Sequence, residues 1–438
     1  MTLEELVRKA GVVGAGGGGF PAHVKLAARV DTVIGNGAEC EPLLHKDAAV
    51  LEHFADRVVT GLRRSLEAVG ARDGVIAIKA KNRHALEAVE AACRGTPVRV
   101  KTLGDYYPAG DEYDLVYEVT GRLIPPGGLP PNVGCVVSNV ETLVNIAAAA
   151  EGVPVTRKTL TVAGAVRSPV TLTVPIGTPL RVCLDAAGGA TTADPLLFLG
   201  GLMMGETTFD ADTPVLKTTT GVVVLPRDHP SAVRRLTPPE AMARIGKSAC
   251  DQCRYCTEYC PRYLLGYAVE PHQVMRGLSF TATGADRWNA WAAHCCSCGL
   301  CTLYACPEGL FPKEACDDAK RSLRAAGFRG KGPAPERPHP IRDGRRVPIR
   351  GLMKRLEVLA LDHPAPWRDA VVSPARVELR LKQHAGSAAR PTVRAGERVV
   401  EGQCVAEMPE GVLGASVHAS IGGTVEDVDD RRLVIGRG

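Results

Sequence analysis

Aromatic residues are scarce, 4% of 438 positions, so the cores must be built mainly from Ala, Val and Leu. No run of about eighteen apolar residues occurs, and no membrane-spanning helix is expected. The first residues, Met1-Thr2-Leu3-Glu4-Glu5, are acidic and lack the basic start and apolar stretch of a signal peptide. The expected location is therefore cytoplasmic. A formal charge of +5 is too small to imply a nucleic-acid partner. Glycine (47) and proline (32) are plentiful, which favours turns and linkers. The length suits about three or four domains.

What the chain does have is cysteine in a pattern. Nine of its fifteen cysteines lie between residues 250 and 306. They form Cys250-x2-Cys253-x2-Cys256-x3-Cys260-Pro261 and Cys295-x2-Cys298-x2-Cys301-x4-Cys306-Pro307. This is the bacterial two-cluster arrangement for [4Fe–4S] centres: three thiolates come from a tight loop, and a fourth, followed by proline, serves the other cluster. The expected sets are Cys250, Cys253, Cys256 and Cys306, then Cys295, Cys298, Cys301 and Cys260. The second run carries one extra residue before its last cysteine. Cys296 is surplus, and takes the place of Cys295 if the loop shifts register. Paired structural zinc sites are the competing reading, although zinc rarely uses three cysteines at successive two-residue gaps plus Cys-Pro. A disulfide framework does not suit a chain of this size with no export signal. Cys40, Cys93, Cys135, Cys183, Cys316 and Cys404 read as small core residues.

The rest of the chain divides by pattern. Residues 1–152 alternate strand and helix: strands at 32–34, 75–78 and 98–100, helices at 48–69 and 83–93. That order predicts a Rossmann-like parallel sheet. Ser138 and Glu141 fit a capping box before an apolar helix. Residues 156–228 alternate at 159–162 and 170–174 and hold an apolar run at 222–225, which predicts a small β domain. Residues 237–328 carry the cysteines among helical segments. A basic, Pro-rich stretch follows and reads as a solvated linker over 329–368. Residues 369–438 look all-β, with glycine turns.

A second signal is Gly14-Ala15-Gly16-Gly17-Gly18-Gly19-Phe20-Pro21. Such a loop brings backbone N–H groups close to a phosphate or a flat ring. Asn36-Gly37-Ala38-Glu39-Cys40-Glu41-Pro42 follows the first strand, where open α/β sheets bind ligands. With Asn139-Val140-Glu141-Thr142, these motifs resemble, in order, the RnfC electron-transport subunits and the flavin-binding subunit of respiratory complex I. Tyr107-Pro108-Ala109-Gly110-Asp111-Glu112 and Gly200-Gly201-Leu202-Met203-Met204-Gly205 resemble RnfC segments, the latter in a β-grasp module of the SLBB type. RnfC proteins carry a barrel-sandwich module at the N-terminus. Here the similar segment is C-terminal, an order that resembles the PduS family of cobalamin reductases.

The resemblance implies a multidomain α/β architecture: an FMN domain, a β-grasp (SLBB) module, a helical ferredoxin-like domain with two [4Fe–4S] clusters, and a C-terminal barrel-sandwich hybrid. It implies FMN against Gly14, Gly16, Gly17, Gly19 and Phe20, with Asn36, Glu39 and Glu41 along the ring. Lys79 or Lys81 would face the phosphate, and Asn139 and Glu141 would close the site. The family usually has Ala where Gly18 stands. NADH would share the flavin's mouth near Glu112 and Tyr106, since no separate Gly-x-Gly-x-x-Gly fingerprint with its ribose-binding acid is present. The sandwich is similar to biotinyl and lipoyl carriers, yet residues 411–425 contain no lysine to modify. The implied activity is electron transfer from NADH through FMN and both clusters to cobalamin. A cobalamin adenosyltransferase and microcompartment shell proteins are the implied partners, and a microcompartment interior the implied setting. An RnfC-like subunit serving another acceptor, or a relay that needs a partner to oxidise NADH, is the alternative.

Overall fold

The computed structural model describes residues 1–278, 289–328, 330, 332–369 and 372–437. Residues 279–288 of the expected cluster domain, 329 and 331 of the expected linker, and 370, 371 and 438 of the expected sandwich lie outside the described residues. Among the described residues, no helix is long and apolar enough to cross a membrane.

The first sheet is parallel and has four strands: β1 (Thr32–Gly37), β2 (Asp73–Lys79), β3 (Val98–Leu103) and, after a two-residue strand β4 (Tyr106–Tyr107), β5 (Cys135–Asn139). Their order is β3-β2-β1-β5. Winding reverses between β1 and β5, so the loops leaving their carboxyl ends part and open a crevice. Strand alternation sends Val33, Ile76 and Val136 towards helices Ala55–Val69 and Val140–Ala150. Ile34, Ala77 and Val137 face helix Glu112–Thr120 on the other side. Burial on both faces explains why these strands read as apolar runs.

Two local expectations change. The helix expected over 48–69 is two helices, Lys46–His53 and Ala55–Val69, broken at Phe54. The Phe54 ring meets Trp367 edge-on at 5.3 Å, a partner far along the chain that local periodicity does not reveal. The Ser138–Glu141 capping box does not form. Ser138 stays in β5 opposite Gly35. Asn139 is the cap instead, and its side chain accepts the Glu141 N–H at 3.0 Å.

The β-grasp module contains β6 (Arg157–Gly164), β7 (Val170–Pro175), β8 (Pro195–Leu199), β9 (Glu206–Thr208) and β10 (Gly221–Pro226) in the order β7-β6-β10-β8-β9. Strands β6 and β10 run parallel and the other pairs antiparallel. Helix Leu180–Ala186 packs Leu180 and Cys183 into its core. The C-terminal module is two small sheets, one built on Arg376–Arg380, Gly423–Val428 and Arg432–Gly436, the other on Cys404–Glu407 and Val417–His418. Its buried Val377, Leu379, Val405 and Ile435 join the apolar core of the first domain.

The basic stretch is a strap rather than a solvated linker. Arg342 pairs with Asp114 at 2.5 Å and Glu118 at 2.7 Å. Arg345 pairs with Glu258 at 2.6 Å, and Arg346 pairs with Glu118. Val347–Pro348 pairs antiparallel with β4, and helix Ile349–Arg355 buries Ile349, Leu352 and Met353. The positive charge that suggested solvation is matched by acids on helix Glu112–Thr120 and on the cluster domain. Arg342→Ala would leave the buried Asp114 carboxylate without its cation, at a cost of about 3–5 kcal/mol. Amide exchange in helix Glu112–Thr120 and across 342–355 should then quicken by roughly a hundredfold or more. Unchanged exchange would show that the ion pair does not hold the strap.

Candidate functional site

The glycine run forms a loop closed on itself. Gly14 N–H donates to Phe20 O at 2.9 Å, Gly19 N–H to Gly14 O at 3.1 Å, and Ala15 N–H to Thr142 Oγ1 at 2.9 Å. Gly16, Gly17 and Gly18 are exposed at its tip. Gly17 and Gly19 have φ of +106° and +61°, a region that favours glycine. A Cβ on Gly16 would lie 3.1 Å from the Asn139 side chain. A Cβ on Gly19 would lie 2.9 Å from Thr218 Cγ2 and 3.1 Å from His384 Cα. The loop therefore sits at the start of helix Val140–Ala150, in the crevice between β1 and β5, with the β-grasp and sandwich modules along its rim.

Behind it lies a buried ion network that sequence reasoning missed. Glu141 Oε2 is paired with Lys46 Nζ at 3.0 Å and with Lys158 Nζ, and its Oε1 accepts Thr159 N–H at 2.9 Å. Lys158 Nζ also donates to Ala15 O at 2.8 Å, so a β-grasp lysine holds the glycine loop. Lys46 pairs with Asp47 at 2.6 Å, and Asn139 Nδ2 donates to Asp47 Oδ2 at 2.9 Å. Burial alone would raise the Glu141 carboxyl, but Lys158 and Lys46 outweigh it and hold it below its ordinary range. Burial pushes Lys158 down to about 8. Lys46 and Asp47 come shortly after the Asn36-Gly37-Ala38-Glu39-Cys40-Glu41-Pro42 motif, beyond Leu43-Leu44-His45. Lys158 had only its place at the start of an apolar strand to mark it.

The expected ring-lining residues divide. Asn36 Nδ2 donates to Gly110 O at 2.9 Å and so joins its loop to the Tyr-Pro-Ala-Gly-Asp segment. Glu39 accepts Asp47 N–H at 2.9 Å, and burial together with Asp47 pushes its carboxyl up to about 8. Glu41 is engaged elsewhere. Its carboxylate accepts Met203 N–H at 2.9 Å and Met204 N–H at 3.0 Å, which anchors the Gly-Gly-Leu-Met-Met-Gly loop. Lys79 is fully buried and, with Lys81, is paired to Asp105 at 3.0 and 3.1 Å. Glu112 accepts from Lys25 at 3.1 Å, and the buried Tyr106 donates to Asp114 at 2.6 Å.

The structure brings the cysteines into two groups. Cys250, Cys253, Cys256 and Cys306 line one cavity with an empty volume of about 320 Å³. Cys260, Cys295, Cys296, Cys298 and Cys301 gather in the second, where Cys296 packs against Cys298 and Cys260 lies near both Cys296 and Cys295. Buried Cys316, expected as a core residue, sits in a small packed cluster against Cys295. The two loops share a backbone signature. The residues on either side of the middle cysteine have positive φ: Gln252 (61°) and Arg254 (70°) around Cys253, Ser297 (58°) and Gly299 (84°) around Cys298. Non-glycine residues held there mark a site whose geometry the surroundings impose. Ser297 N–H donates to Cys295 Sγ and Leu310 N–H to Cys306 Sγ, both at 3.3 Å, as suits thiolate ligands. The extra residue in the second run is absorbed as a π-helical turn, Cys301–Ala305, which still delivers Cys306 to the other group.

Family comparisons agree with this layout. Residues 7–148 match the Nuo51 FMN-binding domain, 159–207 the SLBB domain, 249–311 a 4Fe-4S dicluster domain and 369–438 the RnfC barrel sandwich hybrid domain. The dicluster match displaces the zinc reading. Cobalamin reductase PduS of Citrobacter freundii is 44% identical over 439 residues, 100% of this chain and 97% of that protein. Cobalamin reductase PduS of Salmonella typhimurium is 44% identical over 437 residues, covering 100% and 96%. A component of the Na(+)-translocating ferredoxin:NAD(+) oxidoreductase complex of Acetobacterium woodii is 37% identical over 269 residues, covering 60% and 58%.

Two outcomes follow from the loop and its acids. Gly16→Ala and Gly19→Ala should weaken FMN binding at least tenfold, about 1.4 kcal/mol, while Gly18→Ala, whose Cβ meets nothing within 4 Å, should stay near the parent in a flavin titration. The Glu39 carboxyl titrates near 8 in the folded chain against 4.5 ordinarily, so the folded state holds a proton that the unfolded chain releases. Its contribution to stability therefore falls as pH rises from about 4.5 to about 8. Glu39→Gln should lose less melting temperature than the parent between pH 6 and pH 8 in flavin-free protein. Equal losses would show that this carboxyl is not buried in its neutral form.

Proposed function

This chain belongs to the PduS family of cobalamin reductases, and on that premise we propose that it passes electrons one at a time from NADH to the cobalt of cobalamin, with the chain's FMN and two [4Fe–4S] clusters between them. The observation that supports this most is the packing of the glycine loop, the Asn36–Glu41 loop and both cysteine groups into one body. FMN supplies the conversion of a two-electron hydride into single electrons, and the clusters supply single-electron carriage.

The residues divide that labour. Backbone N–H groups at the exposed tip, Gly16 to Gly18, serve a phosphate. Asn36 and Glu39 border the ring, and Glu39, held largely neutral at pH 7, supplies a proton-bearing edge. Lys158 and Thr142 keep the loop from sagging by holding Ala15 on both its carbonyl and its N–H. The first cluster takes Cys250, Cys253, Cys256 and Cys306. The second takes Cys260, Cys298, Cys301 and Cys295. Matching φ signatures align Cys295 with Cys250 and Cys296 with Asp251, which favours Cys295 as the ligand.

Family membership also supports a setting inside a microcompartment, among shell proteins and near an adenosyltransferase that takes up reduced cobalamin. A second reading has one observation in its favour. Tyr106 and Glu112, the residues expected beside the nicotinamide, are already engaged by Asp114 and Lys25. A relay that needs a partner to oxidise NADH accounts for that. Anaerobic reconstitution with iron, sulfide and FMN decides between them. The reductase reading expects about eight iron per chain, flavin bleaching by NADH, and reduction of cob(III)alamin. A flavin that NADH leaves unbleached, but dithionite bleaches, would favour the relay.

A further inference from the structure

The two cysteine groups stand in different relation to the flavin loops. The cavity of the first group is lined by Cys250, Cys253, Cys256, His272, Met275, Cys306 and neighbours, all from the cluster domain. Cys253 is exposed there. No residue of the first domain or the β-grasp module lines it. The second group is tied to the flavin side twice over. Tyr107, 2% exposed, donates its hydroxyl to Cys298 O at 2.7 Å. Its own segment is joined to the flavin motif where Gly110 O accepts from Asn36. The Tyr107 ring shares one packed cluster with Leu43, Leu44, Cys40, Cys296 and Cys298. The other tie runs through Glu41. Its carboxylate fixes Met203, and a Cβ on Gly299, beside Cys298, would come within 3.2 Å of Met203 O. On the Cys260 side, Arg262 forms an ion pair with Asp111, with Nη2 to Oδ2 at 3.0 Å, and stacks on Tyr113 at 3.9 Å.

From this geometry we infer that the second cysteine group is the one coupled to the flavin site, that the first is the outlet to the acceptor, and that Tyr107 is the positioning residue that holds the inner group in place. The inference rests on the reading that the chain carries FMN and two clusters. Each NADH is oxidised to NAD⁺, and its two electrons leave one at a time, through the group at Cys298 and then the group at Cys253. Each acceptor molecule gains one electron, and the proton goes to solvent. Glu41 then has a role different from the one its motif suggested: it sets the distance between the flavin loop and Cys298 through the Met203 loop. A linear path also explains why so many bonds converge on the second group while the first has an exposed thiol. The group beside a fixed donor has to be held, whereas the group that meets a diffusing acceptor has to be reachable.

Rapid-freeze electron paramagnetic resonance on the reconstituted full chain tests the order. The protein is mixed with less than one equivalent of NADH. Cys253→Ala, which removes one outer ligand, identifies which signal belongs to which group under dithionite. The expected result is that the signal surviving in Cys253→Ala rises first in the parent, at least tenfold faster than the other. NADH should still produce that signal in Cys253→Ala, while reduction of the external acceptor falls at least tenfold. Tyr107→Phe should shift the midpoint potential or line shape of that same signal and leave the other unmoved. It should also slow the signal's appearance, with flavin bleaching by NADH at the parental rate. An outer-group signal that rises first, or in step with the inner one, would overturn the inference. So would a Tyr107→Phe change confined to the outer group. NADH failing to bleach the flavin in the parent would instead count against the reductase reading, and dithionite-reduced flavin as the electron source then tests the order by itself.

Discussion

Glu141 is the point on which the arrangement turns. Its carboxylate is buried between Lys46, from the helix after β1, and Lys158, from the first strand of the β-grasp module. Three such charges are tolerable out of water only because they are mutually paired and hydrogen-bonded. Loss of one partner leaves the others uncompensated, which typically costs about 3–5 kcal/mol. The same atoms also hold the glycine loop, since Lys158 reaches Ala15 O. One network thus joins the switch point of the sheet, the loop proposed for the phosphate and the neighbouring module. Glu39 is the acid without a cation of its own in this network, which is why burial drives it towards the neutral form.

The modules are not beads on a string. The sandwich reaches the glycine loop through Ala385 N–H, which donates to Gly19 O at 3.0 Å. Lys217 ties three modules at once: its ammonium donates to Gly11 O at 2.7 Å and Ser416 O at 2.8 Å. The strap then closes the other side, where arginines from 342–346 meet acids of helix Glu112–Thr120 and of the cluster domain. Electron transfer between carriers asks for this kind of construction. Rates depend steeply on separation, so bound groups on separate modules need the modules locked together. Many short polar ties across the seams supply that lock, together with the apolar core that the first domain shares with the sandwich.

Much of the site was legible because its chemistry leaves little freedom in sequence. Three thiolates on one loop demand two-residue gaps, and a loop approached closely by a phosphate demands glycine. Both patterns are local, and each folds into its own loop. Side-chain direction was less legible. Glu41 lies in the flavin motif yet turns to Met203 and Met204, and Lys79 ends a strand at the ligand edge yet is consumed by Asp105. Nothing in a one-dimensional motif says which way a side chain turns when its partner lies far along the chain.

By itself, the sequence determined the order of modules, the two cysteine runs and the glycine loop, because each rests on spacing within a few residues. It also determined the parallel sheet, through apolar runs separated by helical periods. Only the tertiary structure decided that the basic stretch is a strap, that Asn139 rather than Ser138 caps its helix, and that Cys295 rather than Cys296 matches the register of Cys250. These depend on long-range pairing, on charges brought together by folding, and on backbone angles that no residue type imposes alone. The physical reason is the same throughout: short-range sterics and ligand geometry are written in neighbouring residues, whereas burial and charge pairing exist only once distant segments meet.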